Sequence, residues 1–163
     1  MTETKIDTAA FRHVLGHYPT GVAAITATGK DGAPLALVVG SFTSVSLDPP
    51  LVGFLPARTS STWPLIEAAG SFAVNVMGAN QGVACRQLAG KDDKFAGLDW
   101  HLSGYNHPVL ADSLAIIECS IHSVTDAGDH VFVLGAVKSL EVRRDEDPMI
   151  FHRGRYGGFA EGL

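Results

Sequence analysis

Two apolar runs, "SLAIIECSIHSVTDAG" and "DHVFVLGAVKSLEVRR", stand back to back across residues 113–144. Both are rich in strand-forming residues, and Asp126-Ala127-Gly128-Asp129 between them is a strong turn signal, so they read as a long antiparallel hairpin. A two-stranded hairpin is marginal alone and needs further strands to cover its apolar side. The rest of the chain supplies them. "TGVAAITATGKDGAPLALVVGSF" reads as strand, Gly-Lys-Asp-Gly turn, strand; "PPLVGFL" and "SFAVNVM" read as strands, and "PMIFHRGRY" as a last one.

Helical signals are short. Asp7 or Thr8 can cap a first helix carrying Phe11, Val14, Leu15 and Tyr18, stopped by Pro19. "TSSTWPLIEAAG" reads as a helix entered through a hydroxyl cap and ended by Gly70, and "ANQGVACRQLAG" as another closed by Gly90. "KDDKFAGLDW" reads as a loop or single helical turn. Six or more hairpin-connected strands with three short helices predict a mainly β fold, an antiparallel barrel with peripheral helices. With 163 residues, 46% of them hydrophobic, one domain over 1–163 can bury a core.

Charge and motifs narrow the function. A net charge of −5 speaks against a nucleic-acid or anionic-membrane surface. No run reaches membrane-spanning length, "MTETKIDTAAFRHVLG" is too polar for a signal peptide, and the expected address is the cytoplasm. Cys85 and Cys119 have neither metal nor disulfide spacing. His13 and His17 share a helix face, but no third ligand is evident and no metal site is expected. Phosphate loop, GxGxxG and GxSxG patterns are missing, so a nucleotide would not be held in the Walker or Rossmann manner.

Three local features carry chemistry. "GSFTSVSLDPPLVGF", residues 40–54, puts Ser41, Thr43, Ser44 and Ser46 between apolar runs, where they either satisfy their own loop or cradle a polar ligand. "PARTSST" combines Arg58 with Thr59, Ser60, Ser61 and Thr62 before a helix, either as a simple cap or as a phosphate site. "GDHVFVLG" places His130 at a hairpin mouth, as a solvated turn residue or a ligand contact.

With "FRHVLGHYPTGVAAIT", "FAVNVM", "DKFAGLDW", "LAIIECSIHSV" and "FHRGRYGGF", these motifs resemble, in order, the short-chain flavin reductase family over about residues 11–159. The SFTSVSLDPPL and GDH blocks are its specific parts. The resemblance implies an FMN-binding split barrel, Greek-key and antiparallel, working as a homodimer. It implies hydride transfer from NADH or NADPH to FMN or FAD, with the reduced flavin serving a partner flavin-dependent monooxygenase; the other reading is a split barrel that holds FMN tightly without turnover. On this sequence Leu37, Val38, Val39, Gly40, Ser41, Phe42 and Thr43 would lie along the flavin ring, continued by Ser44 and Ser46. Phe54, Ala57, Arg58, Thr59, Ser60 and Ser61 would wrap the ribityl and phosphate, with Arg86 and Lys91 as further phosphate or adenine contacts. His130, the residue named for catalysis, would position the nicotinamide with Gly154 and Tyr156. Val38 and Gly40 stand where the family commonly has Thr and Asn, which shifts ring recognition toward the backbone. Arg153, Arg155 and Arg143-Arg144 are surface arginines within the repertoire of 2′-phosphate partners or of an ordinary solvated face.

Overall fold

The computed structural model describes residues 5–162; the ends of the expected 1–163 domain, residues 1–4 and 163, lie outside the described residues. α1 (Thr8–Leu15) is capped by Asp7, whose carboxylate accepts from the Ala9 and Ala10 amides, and it ends at Gly16, before Pro19. Next come β1 (Thr20–Gly21), β2 (Ala23–Thr28), β3 (Pro34–Val39), β4 (Thr43–Leu47) and β5 (Pro50–Phe54). α2 (Trp63–Ala69), β6 (Ser71–Val76) and α3 (Gly82–Ala89) follow. The rest comprises β7 (Trp100–Leu102), β8 (Pro108–Leu110), the long pair β9 (Ala115–Ala127) and β10 (His130–Val142), then β11 (Ile150–His152) and β12 (Arg155–Gly157).

Seven strands form one antiparallel sheet in the order β3-β2-β6-β9-β10-β5-β4. The long hairpin forms its centre, turning at Gly128 with φ +69. The sheet curls around a core to which Ile25, Val52, Phe54, Phe72, Val74 and Val133 all contribute. Phe54 stands edge-on to Trp63 at 5.8 Å and to Phe72 at 5.2 Å. β2 is buried on both faces, since Ala23, Ile25 and Ala27 enter this core while Ala24 joins Ala36, Met77, Leu88 and Phe95 beneath α3. That double burial is why "VAAITA" shows no polar alternation.

The structure departs from the sequence expectation in five places. Residues 43–47 are a strand: β4 pairs with β5 across a tight turn through Asp48 and Pro49. "WHL" and "PVL" form the β7–β8 pair, and the C-terminal run is a hairpin, β11–β12, turning at Arg153 (φ +51) and Gly154 (φ +76). β1 is a two-residue strand pairing with β11. Segments this short carry too few residues for a period to show. The hydroxyl cap of α2 is also displaced: Thr62, at the cap position, makes no such bond, and Ser60 Oγ instead accepts from the Thr62 and Trp63 amides.

Buried polar groups tie the layers together. Thr26 Oγ1 donates to the Pro108 carbonyl at 2.6 Å, and Asn75 Oδ1 accepts from the Leu110 amide at 2.9 Å. His107, itself buried, bridges buried Glu118 and Ser71. No helix among the described residues is long and apolar enough to cross a membrane.

Candidate active site

β3 is an edge strand, hydrogen-bonded to β2 alone. Its Ala36 carbonyl turns outward and accepts from Lys94 Nζ at 2.7 Å. The two-residue period of a strand then puts the Val38 N–H and C=O on the same open edge. Beside that edge lies a cavity of about 420 Å³, walled by Leu37, Val38, Gly40 and Ser41 on one side and by Pro56, Ala57 and Ser60 on the other.

His130 also lines the cavity, from the hairpin side. The hairpin mouth is pinned there by a bridge between Ala57 and His130, by Val131 N–H donating to the Pro56 carbonyl (3.1 Å), and by Arg58 N–H donating to the Asp129 carbonyl (2.9 Å). His130 Nδ1 lies 2.7 Å from Asp129 Oδ1, and this hydrogen bond holds the Asp129 carboxyl below its usual range. The other ring nitrogen is thereby directed away from the carboxylate.

A second cavity of about 140 Å³ adjoins through Val38, Val39 and Gly40 and is lined further by Val22, Phe151 and Tyr156. Burial pushes the Tyr156 phenol up, so it stays protonated and able to donate. Gly40 is where the two cavities meet, and a Cβ there would come within 2.7 Å of Thr20 Oγ1. That hydroxyl is buried without a hydrogen-bond partner among the described residues. The close approach explains why this position carries glycine rather than a polar side chain.

The residues named from sequence divide accordingly. Leu37, Val38, Val39, Gly40, Ser41, Ala57, Ser60 and His130 line the main cavity, and Tyr156 lines the smaller one. Ser41 Oγ is engaged in accepting from the Leu55 amide at 2.9 Å, which ties the end of β3 to that of β5. Ser60, having accepted from two amides, keeps its hydroxyl hydrogen for a ligand. Phe54 is in the core, Phe42 packs against it, and Thr43, Ser44 and Ser46 run along β4 outside the cavity.

Arg58 stands at the rim with its guanidinium on the Gly128 carbonyl (2.9 Å) and Asp126 (2.5 Å), while Thr59 and Ser61 are exposed beside it and outside the lining. Arg86 lies near Tyr156, on α3, and Lys91 is exposed; neither lines the main cavity. Gly154 lines a separate pocket against α1. Arg144 is engaged by Asp112 and Glu146, and Arg143 lies near Glu141.

Leu55 and Pro56, within the 54–61 segment expected to wrap the ribityl and phosphate, line the main cavity, whereas Lys94 was not singled out from the sequence. Lys94 reaches Ala36 O and, at 3.3 Å, Thr62 Oγ1, and its ammonium is pushed down by burial. The available signal was Phe95, whose burial under α3 pulls its neighbour inward, whereas Lys91 sits on the exposed part of the same loop. Among the described residues no three His, Cys, Asp or Glu side chains converge as a metal site.

This arrangement fits a flat, polar-edged ring: an apolar strand face, an open backbone edge, a position without a side chain, and hydroxyl and ammonium groups toward one end. Residues 15–160 match the flavin reductase like domain family. A flavin reductase of Pseudomonas putida is 50% identical over 161 residues, covering 98% of this chain and 95% of that protein. The crystal structure of a nitrilotriacetate monooxygenase component B homologue from Mycobacterium thermoresistibile superposes with TM-score 0.91 at 41% identity, covering 94% of this chain and 87% of that one. An NADH:FAD oxidoreductase of Streptomyces globisporus superposes with TM-score 0.89 at 34% identity, covering 100% and 96%. The chain belongs to the flavin reductase-like family of split-barrel oxidoreductases.

Proposed function

We propose that this chain, as a single domain, transfers a hydride from NADH or NADPH to FMN or FAD bound along the open edge of β3, and that the reduced flavin serves a partner monooxygenase. The observation that carries the reading is the pair of cavities meeting at Gly40, one bordered by His130 and the other by Tyr156. The flavin supplies the hydride acceptor when bound, so the protein's task is to orient two rings and exclude water between them.

Each wall has a role. The Val38 backbone edge meets the polar rim of the ring, where an amide stabilises negative charge that develops there. Ser60, Lys94 and Arg58 mark the phosphate end. His130, braced by Asp129, presents its free ring nitrogen to the nicotinamide carboxamide, and Tyr156 limits the ring's sideways travel. No side chain here needs to carry a proton for hydride transfer.

A monooxygenase partner is supported by the relative described as a monooxygenase component. The test is turnover: purified protein, NADH or NADPH, and free FMN or FAD, followed at the nicotinamide absorbance band. Oxidation of many nicotinamide equivalents per protein supports the reading. Slow reduction of a single retained flavin would instead identify a flavin holder.

A further inference from the structure

On β9, Ile117 and Cys119 face the barrel core, so Ile116 and Glu118 point to the opposite side of the sheet. There the β7–β8 hairpin lies over β9 and β10 and leaves a slot of about 260 Å³. Its floor is two cross-strand pairs, Glu118 with Ser139 and Ile116 with Glu141. Its roof includes His101 and Val109, which are paired across β7 and β8. Val109, Ile116 and Ala73 form a small apolar cluster, so one stretch of the slot is apolar and the rest polar.

Roof and floor are fastened together. Tyr105, in the β7–β8 turn, donates its hydroxyl to the Lys138 carbonyl at 3.5 Å, and His107 Nδ1 donates to Glu118 Oε2. The slot is thus held open between two hydrogen-bonded strand pairs and exists before any ligand arrives.

Glu118 is the unusual member. Its side chain is only 6% exposed, yet it lines the slot. Oε2 is taken by His107, whereas Oε1 has no hydrogen-bond partner among the described residues and is not sealed off. Ser71 Oγ lies 2.8 Å from His107 Nε2, so a hydroxyl donating there and an N–H on Nδ1 satisfy a neutral imidazole completely. The carboxylate then sits largely out of water with no cation against it, a costly state that a bound cation relieves. The other carboxylate of the lining, Glu141, already faces Arg143 Nε at 3.9 Å. One negative charge is left over, and it is at Glu118.

We propose that this slot binds a small organic ammonium ion, its apolar body between Ile116 and Val109 and its N–H groups donating to Glu118 Oε1 and the Ser139 hydroxyl. A bare metal ion fits less well, because no three His, Cys, Asp or Glu side chains converge among the described residues. The slot shares no residue with the flavin cavities, and Ser139 is nine residues along β10 from His130, roughly 30 Å of extended strand. The inference therefore stands independently of the reductase reading.

The test is a titration of the full chain with benzylamine, followed by amide NMR, with benzyl alcohol as the uncharged probe of similar shape. Benzylamine should give saturable shifts confined to residues 101–105, 116–118 and 139–143. Benzyl alcohol should need about tenfold more ligand to reach its midpoint, the size of a lost charge-assisted hydrogen bond. Glu118→Gln should weaken benzylamine about tenfold and leave the alcohol within about twofold. Because that variant also alters the His107 contact, Ser139→Leu is the second arm: it fills the slot from an exposed strand position, leaves Glu118 and His107 in place, and should abolish saturation by both probes. Shifts that never saturate, shifts mapping to other residues, equal midpoints for amine and alcohol, or wild-type binding by Ser139→Leu would each overturn the proposal.

Discussion

His130 is a strand-end residue whose orientation comes from its neighbour. Asp129 holds Nδ1, and the hairpin mouth is tied to Ala57 and Arg58, so the ring's free nitrogen has one direction to face. His130→Ala should raise the KM for NADH about tenfold while leaving the KM for flavin unchanged, which steady-state kinetics varying each substrate in turn would show. Asp129 reports the same contact. Its folded pKa is depressed by the hydrogen bond, so the interaction is present above the ordinary aspartate range and is lost as pH falls through the lower value. An NMR titration of its carboxyl carbon should give a midpoint below about 3.9 that moves back toward that value in His130→Ala.

Thr20 and Gly40 form a second residue-level unit. The Thr20 hydroxyl is buried with no partner among the described residues, so Thr20→Val removes a desolvated group without changing shape. The expected gain is about 1 kcal/mol, seen as a rise in Tm of about 2–4 °C. The two thiols are inert by the same logic of burial, which pushes Cys85 up to about 11 and Cys119 to about 12. A thiol reagent at pH 8 should therefore label neither until denaturant is added.

Among the elements, the central hairpin carries the most register information and also bends. The β9–β10 ladder shifts between Leu134 and Gly135 and again between Val137 and Ser139, which lets two long strands wrap the core. Gly135 sits at the first shift because a Cβ there would meet Phe72 Cζ at 2.6 Å and Cys119 Cβ at 3.1 Å. Gly135→Ala should cost about 1–3 kcal/mol in chemical denaturation, since both neighbours are fully packed. β4 has the opposite character: an outer strand with Leu47 and Val45 exposed and the Thr43 hydroxyl donating to the neighbouring Ser44 carbonyl. Thr43, Ser44 and Ser46 belong to this strand and are outside the lining of the main cavity.

For the whole molecule, the exposed apolar surface is the outstanding property. Leu47 is 96% exposed, Val142 82% and Tyr18 72%, and α1 has no buried residue at all. Around α1, exposed Phe11, Val14, Leu15 and Tyr18 recur at helical spacing and so share one apolar face, the kind of surface that another subunit covers. We expect sedimentation equilibrium to give about twice the 17.2 kDa chain mass. A monomer at micromolar concentration would refute the dimer.

Much of this was legible from residue order. The long hairpin, the β2–β3 hairpin, the three helices and the mainly β class follow from periodicity and turn chemistry, which act between near neighbours. Leu37–Ser41 and His130, which lie in motifs long enough to recognise, are residues that the fold brings together around one cavity. Other assignments were beyond local reading. Ser41 and Ser44 are similar serines three positions apart, yet one bonds Leu55 and lines the cavity while the other is exposed on β4. Lys91 and Lys94 are both loop lysines, and the packing of Phe95 makes the second the one that reaches β3. Gly40 looks like a lost asparagine until Thr20, twenty positions earlier in the chain, is seen to stand where its side chain would go. Local patterns set which segments become strands and helices, whereas curling the sheet sets which side chains meet, because burial and close approach act between residues distant in sequence.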